Sequence, residues 1–305
     1  MSRTYPIGTP GQPWGEAERA RWRALQVRRR SHADEVLAAI ERLAGRFEVE
    51  TYGWLEYPPD RYPLVLVRSR SWDARRPVAL VTGGVHGYET SGVHGALRFL
   101  DRHAAEFEDR ANLLVVPCVS PWGYERIHRW NAEAVDPNRS FRADSPALEA
   151  ALLMQRLAPL AGRVRVHIDL HETTDSDETE FRPALAARDG KPFQPGTIPD
   201  GFYLVGDVEQ PRLDFQQAIL REVASVTHIA PPDAHGRIIG ADVVAPGLIL
   251  YPYRELGLCA GMTDAPFRTT TEVYPDSPLA TPEQCNEAQA VAVCAALRYA
   301  LDATV

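Results

Sequence analysis

Apolar and polar positions along this chain switch repeatedly between a helical period and short strand-like runs. Over 14–47, Ala17, Ala20, Leu25, Val36, Leu37, Ile40 and Leu43 recur at helical spacing among Arg and Glu, which predicts helix with a break near Ser31. Apolar runs at 63–67, 78–81 and 113–117 predict strands. Between the last two, Val93, Ala96, Leu97 and Leu100 predict a helix over 89–107. The alternation continues with helix at 146–160, strands at 164–170 and 202–205, helix at 211–226, and strands at 248–251 and 269–274. A last helix begins at Thr281, which can cap it, with Pro282 at its first position and Gln284 completing a capping box. Pro- and Gly-rich stretches at 182–200 and 228–247 read as surface loops. This order predicts an α/β fold: one domain with a mixed, mainly parallel sheet and helices on both faces. Residues 1–50 are expected to form an N-terminal helical extension packed on a domain spanning 51–305.

Composition narrows the function. The formal net charge is −8 and no block of basic residues occurs, so a general nucleic-acid binder is not expected. No apolar run approaches the ~18 residues of a membrane span. The first thirteen residues are polar with Gly and Pro, unlike a secretory signal. Cys118, Cys259, Cys285 and Cys294 are scattered without CxxC spacing, as expected for reduced thiols of a cytoplasmic protein.

Candidate chemistry gathers where strands end. The strand at 78–81 runs into Gly83 and Gly84, then His86 and Glu89 three residues apart at the junction with a helix. That spacing can bring an imidazole and a carboxylate to one metal ion, although the pair alone is common. The strand from Val164 alternates, with Arg165, His167, Asp169 and His171 on one side. His171, at the strand's end, is the candidate third ligand. His167 lies deeper and is the weaker candidate beside a plain core role. Asp169 would either orient a ligand or pair with Arg165. No Walker loop, GxGxxG or nucleophile elbow is present.

Further motifs follow in order: Pro121, Gly123 and Tyr124; Arg129 and Asn131; then Val135, Asp136, Asn138, Arg139 and Phe141. Together with HxxE and Asp169-Leu170-His171, this series resembles the zinc carboxypeptidase superfamily over roughly residues 60–300. That superfamily includes carboxypeptidase A-like peptidases, murein-peptide amidases and succinylglutamate desuccinylase–aspartoacylase deacylases. The resemblance implies one zinc ion held by His86, Glu89 and His171. It implies Arg129 as the arginine that stabilises an oxyanion, Asn138 and Arg139 as the pair holding a substrate carboxylate, and Glu272 as the catalytic glutamate. Tyr251 falls near the family's tyrosine that closes over substrate, with Tyr253 beside it. Ser120, Trp122 and Pro137 depart from the usual pattern.

Each residue also has a plainer reading: surface ion pairs for the arginines, a strand-end carboxylate for Glu272, rim packing for Tyr251. Five acids from Glu172 to Glu180 (Glu172, Asp175, Asp177, Glu178, Glu180) read as a solvated loop, a wall selecting basic groups or a second metal site. The expected function is zinc-dependent hydrolysis of an amide bond beside a free carboxylate, on a small peptide or acyl-amino acid. Because only a short connection and the capped helix follow Glu272, without the extra C-terminal β domain of aspartoacylase-like relatives, a carboxypeptidase or peptide amidase is expected ahead of an N-acyl amino acid deacylase. A catalytically silent carboxylate binder is the remaining alternative.

Overall fold

The computed structural model describes residues 5–304; the first four residues of the expected extension lie outside them. Ten strands form: β1 (Phe47–Tyr57), β2 (Asp60–Ser69), β3 (Val78–Gly83), β4 (Asn112–Val116), β5 (Val164–Glu172), β6 (Tyr203–Asp207), β7 (Arg237–Ile238), β8 (Ala241–Asp242), β9 (Leu248–Tyr251) and β10 (Phe267–Val273). Eight of them make one sheet in the order β1-β2-β4-β3-β5-β10-β6-β9, with β7 and β8 a separate ribbon. The central strands β4, β3, β5 and β10 run parallel, whereas β1, β2 and β6 introduce antiparallel pairings. This is the mixed, helix-covered α/β sheet that the sequence pattern predicts.

The main helices are α1 (Glu16–Ala24), α2 (Ala38–Leu43), α3 (Thr90–Arg98), α4 (Pro121–Arg126), α5 (Leu148–Leu157), α6 (Arg182–Arg188), α7 (Leu213–Val223) and α8 (Pro282–Asp302). One face of the sheet is covered by α2, α3, α7 and α8, which bury Ile40, Val93, Leu97, Phe215, Ile219, Ala292 and Ala296 against Val81, Val166 and Ile168. Helix α5 covers the other face through Ala150, Leu153 and Leu157. The small residues along α8 let it lie close to α3, where a side chain at Gly95 would collide with Gln289. The Thr281 capping box starts α8 as expected.

Four local readings change. The break expected near Ser31 is wider than the stripe suggests: α1 stops at Ala24, and the helix resumes at Ala33. In between, the amides of Arg29 and Arg30 donate to the carbonyl of Glu125, so their hydrogen bonds go to α4 and not along a helix. Phe47 belongs to β1, half of a long hairpin with β2 whose partner contacts no local period can report. The stretch 182–200 begins as helix α6, continuing a turn that starts at Asp177. Finally, strict alternation in β5 fails at its start, where the pairing with β3 slips between Val164 and Val166. Arg165 is consequently turned toward the C-terminus of α8, donating to the carbonyl of Ala300 at 2.6 Å and not to Asp169.

All four cysteines are buried and unpaired. Among the described residues no helix is long and apolar enough to cross a membrane.

Candidate metal centre and substrate cavity

The carboxyl ends of β3, β5 and β10 meet at one point. Leaving β3, the chain turns at Gly84, whose φ of +59° suits glycine. Gly87 passes so close to α4 that a Cβ there would lie 1.9 Å from the carbonyl carbon of Gly123. This tight turn swings His86 and Glu89 under the end of β5, next to His171. Ligand atoms of His86, Glu89 and His171 lie within 4.8 Å of one another, and all three side chains are buried.

The two imidazoles are arranged alike. Nδ1 of His86 is 2.7 Å from Oε1 of Glu89, and Nδ1 of His171 is 2.6 Å from Oε2. Their opposite nitrogens face second carboxylates: Nε2 of His86 is 2.9 Å from Asp136, and Nε2 of His171 is 2.7 Å from Asp169. With an ion bound, a carboxylate behind each ring would hold an Nε2–H tautomer and leave the Nδ1 lone pair facing inward. Asp169 is therefore the orienting partner of His171, held by Thr82, whose hydroxyl donates to it at 2.6 Å. From α8, Gln289 donates to the carbonyl of His171 at 2.7 Å and accepts from Thr271, tying β5 to β10 beneath the site.

Electrostatics favour a cation at this point. Burial raises the Glu89 carboxyl, but His171 and His86 outweigh it and bring it down to about 2. Burial opposes charge on His171 as well, yet Asp169 and Glu89 raise its pKa. Oε2 of Glu89 is buried without a hydrogen-bond partner of acceptable geometry. Three carboxylates, two inward-facing imidazoles and an unsatisfied carboxylate oxygen fit a divalent ion with mixed N/O ligands. His167 is elsewhere, buried between the hydroxyls of Thr82 at 3.1 Å and Thr263 at 3.3 Å.

Glu272 stands directly beside His171 in the β5–β10 register. Burial, with the charge of Glu89 added, pushes its carboxyl up to about 8 against the pull of His171. Its Oε2 accepts from Thr173 at 3.0 Å, and Thr173 in turn bonds Tyr203. A cavity of about 180 Å³ opens in front, lined by His86, Arg129, Asn138, Arg139, Tyr251 and Glu272 among others. Arg129 is held by Asp136 at 3.1 Å and by the Tyr88 hydroxyl at 2.8 Å, and its guanidinium lies 4.3 Å from the Phe181 ring centre. Arg139 is exposed; among the described residues its one side-chain hydrogen bond is to the carbonyl of Asn138, 2.7 Å away. Asn138 is buried, accepting from the amide of Cys259 at 2.7 Å, with Nδ2 3.3 Å from His171. Tyr251 is half-buried on the cavity wall, whereas Tyr253 is core, its hydroxyl bonding the carbonyl of Val205 and the amide of Thr270.

Several participants were not singled out in the sequence. Asp136 lay within the motif that supplied Asn138 and Arg139, and a carboxylate two residues before Asn138 was the available signal. Tyr88 and Asp177 brace Arg129. The acidic run is solvated only in part: Asp175 and Glu180 are exposed, whereas Glu172 accepts from the amides of Ser91 and Thr90 at the start of α3, and Asp177 accepts from Tyr88 and the amide of Thr174. Glu178 pairs with Arg182.

Residues 75–191, which carry both the HxxE turn and His171, match the family model of the succinylglutamate desuccinylase/aspartoacylase catalytic domain. The fold is similar to those of solved metallopeptidases and metallo-carboxypeptidases. A candidate metallopeptidase from Shewanella denitrificans is similar over 88% of this chain and 91% of its own, with 19% identity and a TM-score of 0.63. A metallo-carboxypeptidase from Burkholderia cenocepacia is similar over 94% of this chain and 69% of its own, at 15% identity and a TM-score of 0.59. The metallo-carboxypeptidase of Pseudomonas aeruginosa, solved with (2-guanidinoethylmercapto)succinic acid, is similar over 95% and 70%, at 18% identity and a TM-score of 0.56. No curated protein matches the chain. The resemblance to zinc carboxypeptidase-type hydrolases seen in the motifs thus extends to the fold.

Proposed function

We propose that this protein is a zinc-dependent hydrolase of an amide bond next to a free carboxylate, acting as a carboxypeptidase or peptide amidase on short peptides. The observation that carries this reading is the register of Glu272 beside His171, which puts a carboxyl with a raised pKa next to the His86–Glu89–His171 cluster. A zinc ion held by those three side chains would supply Lewis-acid polarisation of a carbonyl and acidification of a water. Glu272 would take a proton from the attacking water and deliver it to the leaving nitrogen, both within reach of one carboxylate. Arg129 points into the cavity with Nε and Nη1 already engaged, which leaves Nη2 for an oxyanion. Arg139 faces the same cavity without an ion pair among the described residues and would grip the substrate carboxylate, with Asn138 beside it and Tyr251 across the cavity. The bound complex of the Pseudomonas aeruginosa enzyme, which carries a succinic acid group, supports a carboxylate ligand here. In this reading 51–305 is the catalytic unit and 1–50 a packed extension.

The family match over 75–191 favours a second reading, an N-acyl amino acid deacylase using the same groups. A hydrolysis screen separates them. With zinc supplied, di- and tripeptides are expected to outrun N-acetyl and N-succinyl amino acids in kcat/KM. A tenfold preference for the short acyl substrates, about 1.4 kcal/mol in transition-state binding, reverses the assignment. Hydrolysis of neither class, before and after zinc is added, supports the silent binder.

A further inference from the structure

The metal turn is held from outside the catalytic unit. Residues 28–32 cross the back of α4 as an extended strap. Arg28 pairs with the buried Glu125 at 2.6 Å, the amides of Arg29 and Arg30 donate to the carbonyl of Glu125, and the amide of His32 donates to its carboxylate at 3.0 Å. The strap thereby aims one side chain, Arg30, at the HxxE turn. Its Nη2 donates to the carbonyl of Gly87 at 2.7 Å, its Nη1 to the hydroxyl of Thr90 at 2.8 Å, and its Nε to the carbonyl of Tyr124 at 2.7 Å. The guanidinium carbon sits 3.5 Å from the centre of the Tyr124 ring. Gly87 lies between His86 and Glu89, and Thr90 immediately follows Glu89. One planar cation therefore bonds both sides of the two-ligand turn and locks it to α4. No carboxylate competes for Arg30 among the described residues.

We propose that Arg30 is a positioning residue for the metal centre, setting the spacing of His86 and Glu89 through the Gly87 carbonyl and the Thr90 hydroxyl. This rests on the metal reading above. It touches neither substrate nor metal, so its effect passes through the backbone of the turn. A three-point planar fork restricts the turn far more than a lysine point charge can. Groups that orient metal ligands from behind contribute about 10–100-fold in metal affinity.

The test uses the full chain. Zinc affinity is measured by chelator competition, and the melting temperature of the metal-free protein is followed alongside. Arg30→Ala is expected to weaken zinc binding by about 10-fold or more and to lower kcat with KM little changed, with Arg30→Lys recovering only part. Arg23→Ala, which removes an exposed ion pair from the same N-terminal segment, serves as the control for general loss of packing. If Arg30→Ala does not fold, Thr90→Val deletes one of the three acceptors and is expected to weaken zinc binding a few-fold. Zinc affinity within twofold of wild type in Arg30→Ala, or in Thr90→Val where that variant stands in, overturns the inference alone, as does an equal loss in Arg23→Ala. A wild-type chain that retains no zinc overturns the metal reading itself.

Discussion

Arg129 and Arg139 face the same cavity in opposite circumstances, and so do the two walls to which they belong. On the inner wall the side chains are held in place: Arg129 is clamped by Asp136, Tyr88 and Asp177 through Nε and Nη1, and each imidazole faces a carboxylate at both nitrogens. On the outer wall the Arg139 side chain donates only to its neighbour's carbonyl among the described residues, and Tyr251 is half-buried. The contrast follows from what each wall would do. Groups that bind an ion and stabilise developing charge gain from being fixed before the reaction, because reorganisation then costs nothing at the transition state. Groups that admit a substrate must keep donors free until it arrives. On the proposed reading, substitutions on the inner wall are expected to disturb a buried network, and those on the outer wall chiefly the ligand.

That contrast can be broken most severely at the metal ligands. His86→Ala and His171→Ala are each expected to lose zinc, and with it several kcal/mol of transition-state stabilisation, about 10³-fold in turnover or more. Full metal occupancy in both variants would refute the ligand set. Next comes Glu272→Gln, which keeps shape and zinc but removes the base; turnover is expected to fall by about 10²–10⁴-fold. This variant also has a signature in stability. The Glu272 carboxyl is raised to about 8 in the metal-free fold, from an ordinary value of 4.5. Between those values the native state holds a proton that the unfolded chain releases, so this contribution to stability is present at low pH and lost as pH rises toward 8. The melting temperature of metal-free wild type relative to Glu272→Gln is expected to decline from pH 5 to pH 8. A flat difference would mean that the carboxyl is not raised.

The outer wall predicts smaller, ligand-dependent effects. Arg139→Ala is expected to raise KM for substrates with a free carboxylate by about 10–100-fold, the scale of a hydrogen bond to a charged group, with its melting temperature unchanged. Amidating the substrate carboxylate should make wild type behave like the variant; equal losses on both substrates would remove Arg139 from carboxylate binding. Tyr251→Phe is expected to have the smallest effect, a two- to tenfold loss of kcat/KM through one neutral hydrogen bond. A larger loss accompanied by destabilisation would move Tyr251 from the rim into the core.

The sequence by itself determined the alternation of strands and helices, the capped final helix and the polar residues at strand ends. These are local signals: a period of two or 3.6, a cap with its partner three residues on, a ligand pair three residues apart. Its local periods also erred in local ways, making the break near Ser31 too short, carrying the helix stripe into β1, and missing the slip at Val164 that turns Arg165 away from Asp169. What only the tertiary structure decided is which polar groups meet. The register that places Glu272 beside His171, the pairing of His86 with Asp136 across 50 residues, and the reach of Arg30 to Gly87 across 57 all depend on strand order and on α4 packing against the metal turn. A one-dimensional pattern reports which face a side chain takes. It carries no distance between segments, and hydrogen bonds and metal ligation are decided by tenths of an ångström between groups far apart in the chain.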